Sequence, residues 1–363
     1  MPTTAHIDEP SDVRDEERID PEKLRPFLER AFGRSGEPVS VLQFRKGHSN
    51  LTYLVRYGSD EAVLRRAPFG VKVKTAHDMR REFTILSALQ GAYEKAPRPI
   101  GFCDDETIIG ARFYLMERRC GVVLRGAGEP AAFEPDLLRA LSTALVENLA
   151  DLHAVDVTTP ALAAIGHPNG YVARQVEGWT ARYANARTDE IEDIESVARW
   201  VNTNLPGESG AAVVHNDYKY DNVMLDPANL ARIVAVLDWE MATVGDPLLD
   251  LGTLLGYWSD PDDPPEMRAR PYGPTFLPGS LSRKGVVEAY ARKTGRESFS
   301  PLFYYVFALF KIAVIVQQIY KRYVEGSTSD PRFRALGQWV RVLGRQAALA
   351  LEKGRIDRLG TGA

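Results

Sequence analysis

The sequence predicts an α+β protein of two lobes, a small antiparallel β-sheet lobe followed by a larger, mostly helical one. Three observations carry this reading. Short β-rich runs separated by turn residues fill the chain before Gly121. Long stretches with helical apolar spacing dominate after it. The length, 363 residues, exceeds what a single core usually serves.

Taken in order, residues 1–19 carry mixed charge and almost no large apolar side chains, which predicts a mobile tail. Asp20-Pro21-Glu22 reads as a helix start, with Asp at the cap and Pro at the first helical position. Strands follow at 39–44, 51–57 and 62–66, then a helix over 75–89 with apolar residues at Met79, Phe83, Leu86 and Leu89. Two further strands are expected at 99–103 and 112–117. The small lobe therefore spans 20–116, a linker 117–121, and the helical lobe 122–363. Helices are expected at 135–153, 172–187, 191–205, 284–293, 301–324 and 332–351, around a compact region at 211–251 with short strands. Phe303–Tyr320 is almost long enough to span a bilayer, yet Lys311, Gln317 and Gln318 interrupt it. A mid-span Lys is costly in lipid, so a buried helix of the large lobe is the better reading.

Composition narrows the function. The formal charge of −4 excludes a generic polyanion-coating protein, and neither nucleic acid nor membrane is expected as a partner. Two cysteines, Cys103 and Cys120, cannot build a disulfide scaffold or a four-ligand zinc site. The acidic, polar N-terminus lacks the apolar stretch of a signal peptide, so a cytoplasmic location is expected.

The densest chemistry lies in His215-Asn216-Asp217-Tyr218-Lys219-Tyr220-Asp221-Asn222, followed by Val236-Leu237-Asp238-Trp239-Glu240. Phosphoryl transfer asks a protein for positioning, metal binding, charge neutralisation and one carboxylate aimed at the attacking hydroxyl. An Asp five residues before an Asn, with a second Asp on the following strand, supplies that set. Asp217 would receive the substrate proton, while Asn222 and Asp238 would hold the Mg²⁺ that bridges ATP phosphates. The H-x-D-x-x-x-x-N spacing is that of a kinase catalytic loop.

With these motifs the sequence resembles the aminoglycoside-phosphotransferase family of kinase-like small-molecule phosphotransferases. It is most similar to the branch related to the kinase domains fused to acyl-CoA dehydrogenases. The resemblance covers roughly residues 25–350 and rests on the catalytic loop, Leu237-Asp238-Trp239-Glu240 and Gly245-Asp246-Pro247-Leu248-Leu249-Asp250-Leu251. It implies a protein-kinase-like bilobal fold using ATP and Mg²⁺, with Asp217 as base and Asn222 and Asp238 as metal ligands. His215 resembles the loop-bracing His. Lys219, two residues after the base, stands where a cation would stabilise transition-state charge. Asp246 and Asp250 resemble the acidic pair that pins the catalytic loop, with helix capping by Asp246 as the simpler alternative.

In the small lobe, Gly47-His48-Ser49-Asn50 stands where a kinase has its phosphate-covering turn, although no G-x-G-x-x-G is present. Backbone N–H groups, Ser49 and Asn50 would do the covering. Arg65 takes the strand position of the usual ATP-binding Lys, with Glu82 as its helix partner and Arg66 as a less favoured substitute. The stretch 113–121 looks like the hinge, where adenine would meet the backbone carbonyl of Glu117 and the N–H of Arg119. Cys120 beside it reads as a bystander thiol.

The partner implied is a small molecule bearing a hydroxyl. Residues 301–363 hold ten Lys and Arg against four acidic residues, so 10 − 4 = +6. Were this face to line the acceptor site, an anionic or neutral acceptor such as a hydroxyacyl-CoA would fit better than a polycationic aminoglycoside. Tyr218, Tyr220, Trp179 and Trp258 are aromatic candidates for acceptor contact. Two other readings stand beside it: a nucleotide-binding pseudokinase with a regulatory role, and an antibiotic kinase acting on aminoglycosides or macrolides.

Overall fold

Asp20 opens the first helix. Its carboxylate accepts the Glu22 N–H at 3.0 Å, Pro21 fixes the first turn, and Gly33 at φ 69° closes α1 (Pro21–Phe32). Five strands follow in the antiparallel order β1-β2-β3-β5-β4: β1 (Val39–Phe44), β2 (Leu51–Tyr57), β3 (Asp60–Arg66), β4 (Pro99–Cys103) and β5 (Phe113–Glu117). Helix α2 (Met79–Leu89) starts from Asp78, whose side chain accepts the Arg81 N–H at 3.1 Å. The computed structural model describes residues 9–45, 50–68, 78–126, 133–297, 299–328 and 331–360. Leu24, Leu28, Tyr53, Leu64, Phe113 and Leu115 belong to the core that joins this sheet to α1.

The segment expected as a mobile tail departs from that expectation over its described part. Ser11 and Gln43 exchange backbone hydrogen bonds at 2.9 and 2.7 Å. The Tyr53 hydroxyl donates to the Glu17 carbonyl at 2.8 Å, and Ile19 is buried. Polar contacts along the β1 edge, with Ile19 in the core and Val13 packed against it, order this stretch.

The chain forms two compact units. The first joins the residues up to Val123 with Asn222–Ala242, and the second takes Leu124–Asp221 with Thr243–Ala363. The division therefore does not reduce to one linker at 117–121, because a later segment completes the first unit. That segment holds β7 (Val223–Asp226) and β8 (Asn229–Val236), an antiparallel pair. Val122 and Leu225 exchange backbone bonds at 2.9 and 2.8 Å, and Val236 N–H donates to Lys95 at 2.8 Å. Trp239, almost wholly buried, donates its indole N–H to Val236 at 2.9 Å.

The second unit is helical around one small ribbon. Its helices are α3 (Pro135–His153), α4 (Pro160–Ala163), α5 (Tyr171–Ala186), α6 (Glu192–Thr203), α7 (Pro247–Gly256), α8 (Pro265–Arg268), α9 (Arg283–Thr294), α10 (Leu302–Val324) and α11 (Leu336–Lys353). β6 (Ala212–Val214) pairs antiparallel with β9 (Thr243–Gly245). Helix α10 is long and apolar enough to cross a membrane by composition, but 78% of its apolar window is buried inside the protein, as a core helix would be. It can lie against α7 because Gly252 carries no side chain: a Cβ there would meet the Tyr304 carbonyl oxygen at 2.5 Å.

Candidate active site

The small ribbon sets the loop that follows it. β6 ends at Val214, and the next residues turn sharply, with Asn216 in the left-handed region at φ 64°. Backbone in that conformation needs outside support, and Asp250 gives it. One carboxylate oxygen accepts the His215 N–H at 2.6 Å and the other the Asn216 N–H at 2.7 Å. His153 Nε2 lies 3.2 Å from the same carboxylate, and its Nδ1 meets the Tyr290 hydroxyl at 2.7 Å. Asp246 works differently. It accepts the Leu248 N–H at 2.8 Å as the cap of α7 and ties down Ser209 through the backbone N–H at 2.8 Å and hydroxyl at 2.6 Å. The acidic pair thus divides its labour: Asp250 pins the loop and Asp246 caps the helix.

Asp217 follows that turn. Its N–H approaches His215 Nδ1 at 3.3 Å, so His215 braces the loop from within. One carboxylate oxygen pairs with the Lys219 ammonium, and the other accepts the Tyr257 hydroxyl at 2.6 Å. Burial alone would raise the Asp217 pKa. The Lys219 charge, the hydrogen bonds from Lys219 and Tyr257, and the nearby His215 outweigh it and hold the carboxyl below its ordinary value. Lys219 also lies over the Tyr257 ring at 4.8 Å, and Tyr257 meets Tyr272 edge to face at 4.7 Å. Asp221 sits close by, its pKa pushed up to about 6 by burial against the opposing charges of Lys219 and Arg125.

In the first unit the structure assembles a second cluster. Strand pairing places Arg65 opposite Thr52 on β2 and Tyr114 on β5. Its guanidinium forks: one nitrogen donates to Glu82 at 2.6 Å and another to Asp238 at 3.0 Å. Desolvation of Arg65 is outweighed by the carboxylates of Glu82 and Asp238, so its pKa stands well above the ordinary value and the cation persists. Glu82 is 1% exposed and also receives the Trp239 N–H at 3.3 Å. Burial raises its pKa and the Arg65 charge opposes that rise. The adjacent Arg66 turns the other way and donates to the Ile109 carbonyl at 2.5 Å, which removes it as a substitute. Strand alternation explains the difference.

Asn222 and Asp238 flank the β7–β8 pair, whose first partners are Val223 and Val236. The Leu237 N–H donates to the Asn222 carbonyl at 2.8 Å, drawing the two ends together. Asp238, at φ 66°, keeps 29% of its side chain exposed. An oxygen-only set of one carboxylate and one carboxamide suits Mg²⁺, which keeps several waters and relies on substrate phosphates for the rest. Among the described residues no cluster of three His, Cys, Asp or Glu could hold an ion by itself.

Other expected residues resolve unevenly. Asn50 is buried and its amide donates to Glu240 at 2.8 Å. Ser49 and the Gly47-His48 turn lie outside the described residues. Glu117 and Arg119 form an ion pair at 3.1 Å, and Arg119 also donates to the Glu94 carbonyl at 3.0 Å. The aromatic candidates are core residues: Tyr218 donates to Leu145 at 3.0 Å, Trp258 donates to Leu281 at 2.8 Å, and Tyr220 and Trp179 are buried. Of the ten C-terminal cations, Arg341 and Arg345 line a cavity of about 380 Å³ together with Glu192 and Asp193. Lys311 instead turns inward. Sequence reasoning missed Tyr257, since a lone Tyr beside Trp258 carries no motif.

The sequence profile of the phosphotransferase enzyme family matches residues 40–282. Mouse acyl-CoA dehydrogenase family member 10 is 33% identical over 335 residues, covering 90% of this chain but only 30% of that protein. A Ralstonia eutropha crystal structure, provisionally described as an aminoglycoside phosphotransferase, is 30% identical at a TM-score of 0.79, covering 93% of this chain and 99% of that one. The streptomycin–ATP ternary complex of APH(2'')-IIa shares the fold at a TM-score of 0.55 and 16% identity, covering 94% and 99% of the respective chains. The expected kinase-like α+β architecture is the one these structures share.

Proposed function

The chain belongs to the phosphotransferase enzyme family, and from that premise we propose that it transfers the γ-phosphate of ATP, with Mg²⁺, to a hydroxyl of a small molecule. The observation that carries this reading is the state of Asp217: partly buried, ionised, and held at both oxygens by Lys219 and Tyr257. A carboxylate so placed accepts the proton of the attacking hydroxyl as the new P–O bond forms. Lys219, beside the base, faces the negative charge that gathers on the transferring group.

The first unit supplies the charge that nucleotide phosphates require. Arg65, locked by Glu82 and Asp238, would supply a fixed positive charge toward phosphate oxygens. Asn222 and Asp238 would hold Mg²⁺, which supplies charge neutralisation to phosphate oxygens. The hinge backbone at Glu117 and Arg119 is assigned to adenine.

For the acceptor we put a hydroxyacyl-CoA first. The supporting observation is that the mouse relative, named for acyl-CoA dehydrogenation, carries a stretch matching 90% of this chain within a much longer polypeptide. The test is phosphate transfer from ATP across hydroxyacyl-CoAs, choline, amino alcohols, sugars, aminoglycosides and macrolides. Asp217→Asn is expected to lower kcat by about 10²–10⁴-fold while Mg²⁺-dependent ATP binding persists. Turnover that survives this substitution would sink the reading. Turnover confined to aminoglycosides or macrolides would replace the acceptor class, and ATP binding without turnover on any acceptor would favour a regulatory pseudokinase.

A further inference from the structure

Lys311 is the anomaly of α10. It sits mid-helix among Phe307, Leu309, Phe310, Ile312 and Val314, and it is 3% exposed. An ammonium taken out of water in this way is a large cost unless strong partners receive it. Among the described residues no carboxylate forms a direct ion pair with it. Its Nζ donates instead to the backbone carbonyl of Asn216 at 2.6 Å, with the Thr253 hydroxyl at 3.4 Å and the Trp179 ring at 5.9 Å. The charges facing it are Asp250 from α7, Asp217 and Lys219 from the loop, and Arg182 from α5.

The partner explains the placement. Asn216 holds the unfavourable left-handed turn immediately before Asp217, and its other polar groups are already anchored. Its N–H is on Asp250 at 2.7 Å and its side-chain amide meets the Tyr171 hydroxyl at 2.9 Å. Lys311 fastens a further polar group, the carbonyl, at 2.6 Å. A strained residue persists when its surroundings over-determine it. Here a carboxylate, a phenol and an ammonium, from three different helices, act on one residue.

We propose that Lys311 is a positioning residue for phosphoryl transfer, holding the Asn216 carbonyl so that the next residue, Asp217, is aimed at the acceptor hydroxyl. The inference rests on the reading of Asp217 as the base, and it adds a residue that touches neither substrate nor metal. Helix α10 thereby becomes part of the catalytic apparatus, although Lys311 lies ninety-five positions downstream of Asn216.

Two measurements on Lys311→Met and Lys311→Arg test it. The first is amide hydrogen exchange over residues 213–219, which needs no turnover. In Lys311→Met the His215 and Asn216 amides are expected to exchange about tenfold faster, with α7 and the rest of α10 unchanged. The second is steady-state phosphate transfer, where kcat is expected to fall about 100-fold with the ATP KM within about twofold, as a misaimed base would give. Lys311→Arg, which keeps a charged donor to the carbonyl, is expected to recover most of the rate. Unchanged exchange in Lys311→Met overturns the proposal, and so does faster exchange with wild-type kcat. Should Lys311→Met fail to fold, Lys311→Gln is measured in the same two ways. Wild-type turnover equal to that of Asp217→Asn would sink the phosphotransferase reading instead, and exchange would still judge the anchor.

Discussion

Arg65 shows how much one side chain can decide. An ammonium is a point donor on a flexible stem, whereas the guanidinium reaches Glu82 and Asp238 at once with separate nitrogens. Arg65→Lys should therefore fold but release one of the two carboxylates, raising the ATP KM several-fold in steady-state assays. Arg65→Ala should do worse, because it strands the Glu82 carboxylate in a site that is 1% exposed. Breaking a buried ion pair in this way costs about 3–5 kcal/mol, readable by urea denaturation. A stability loss under about 1 kcal/mol would mean that Glu82 is reached by water. Tyr257 makes a prediction in pH. Its hydroxyl helps hold the Asp217 pKa down. In Tyr257→Phe the carboxylate loses that donor, its pKa rises, and the acid limb of the kcat profile moves to higher pH. The sign follows from activity requiring the ionised base: it disappears as pH falls through the folded-state pKa. An unmoved limb would show that the Tyr257 hydrogen bond is absent during turnover.

Among the elements, α7 and α10 depend on each other through Gly252. A methyl group there would collide with main chain, the Tyr304 carbonyl, which cannot rotate aside as a side chain could. Gly252→Ala should destabilise by about 1–3 kcal/mol and lower the midpoint of thermal unfolding by calorimetry, despite the higher helix propensity of Ala. A higher midpoint would show that α10 shifts freely. The same elements show what could be read in the chain. Helix α3 was expected over 135–153 and occupies Pro135–His153, because a proline at the first helical position and apolar periodicity are local signals. The strands 39–44 and 51–57 were equally plain. Asp217 and Asp238 stood out as candidates through the catalytic-loop spacing, and Arg65 and Glu82 through the resemblance; the structure brings Arg65, Glu82 and Asp238 together. Lys311 could be read as marking a buried helix, yet its partner Asn216 is far off in sequence, and no spacing rule joins the two. Tyr257 escaped for a similar reason. It gains meaning from Asp217, forty residues earlier, and not from its neighbours.

At the scale of the molecule, the first unit is made of two separated lengths of chain. Composition changes at Gly121 suggested a simple cut, but the ribbon β7–β8 and Trp239 belong with the strands at the start of the chain. The pairing of Val122 with Leu225 and the burial of Trp239 depend on contacts distant in sequence, which periodicity cannot register. A fragment ending at Gly121 should consequently lack a cooperative thermal transition by circular dichroism. It leaves Glu82 without the Trp239 N–H and Arg65 without Asp238. A sharp transition near that of the full chain would show that the five-stranded sheet is self-sufficient. The basic C-terminal residues also look different at this scale. They do not act as one patch, since Arg345 pairs with Glu352 at 2.8 Å while Lys311 serves the interior.

That divided construction has a consequence for the protein as it leaves the ribosome. The sheet emerges first, but Asp238 and Trp239 arrive only after all of residues 124–221 has been translated. At typical synthesis rates of about 5–20 residues per second, the wait is on the order of ten seconds. Throughout it, the nascent sheet presents an arginine and a glutamate prepared for partners not yet made. Until then, co-translational chaperones would meet a β-sheet whose missing pieces are still being decoded.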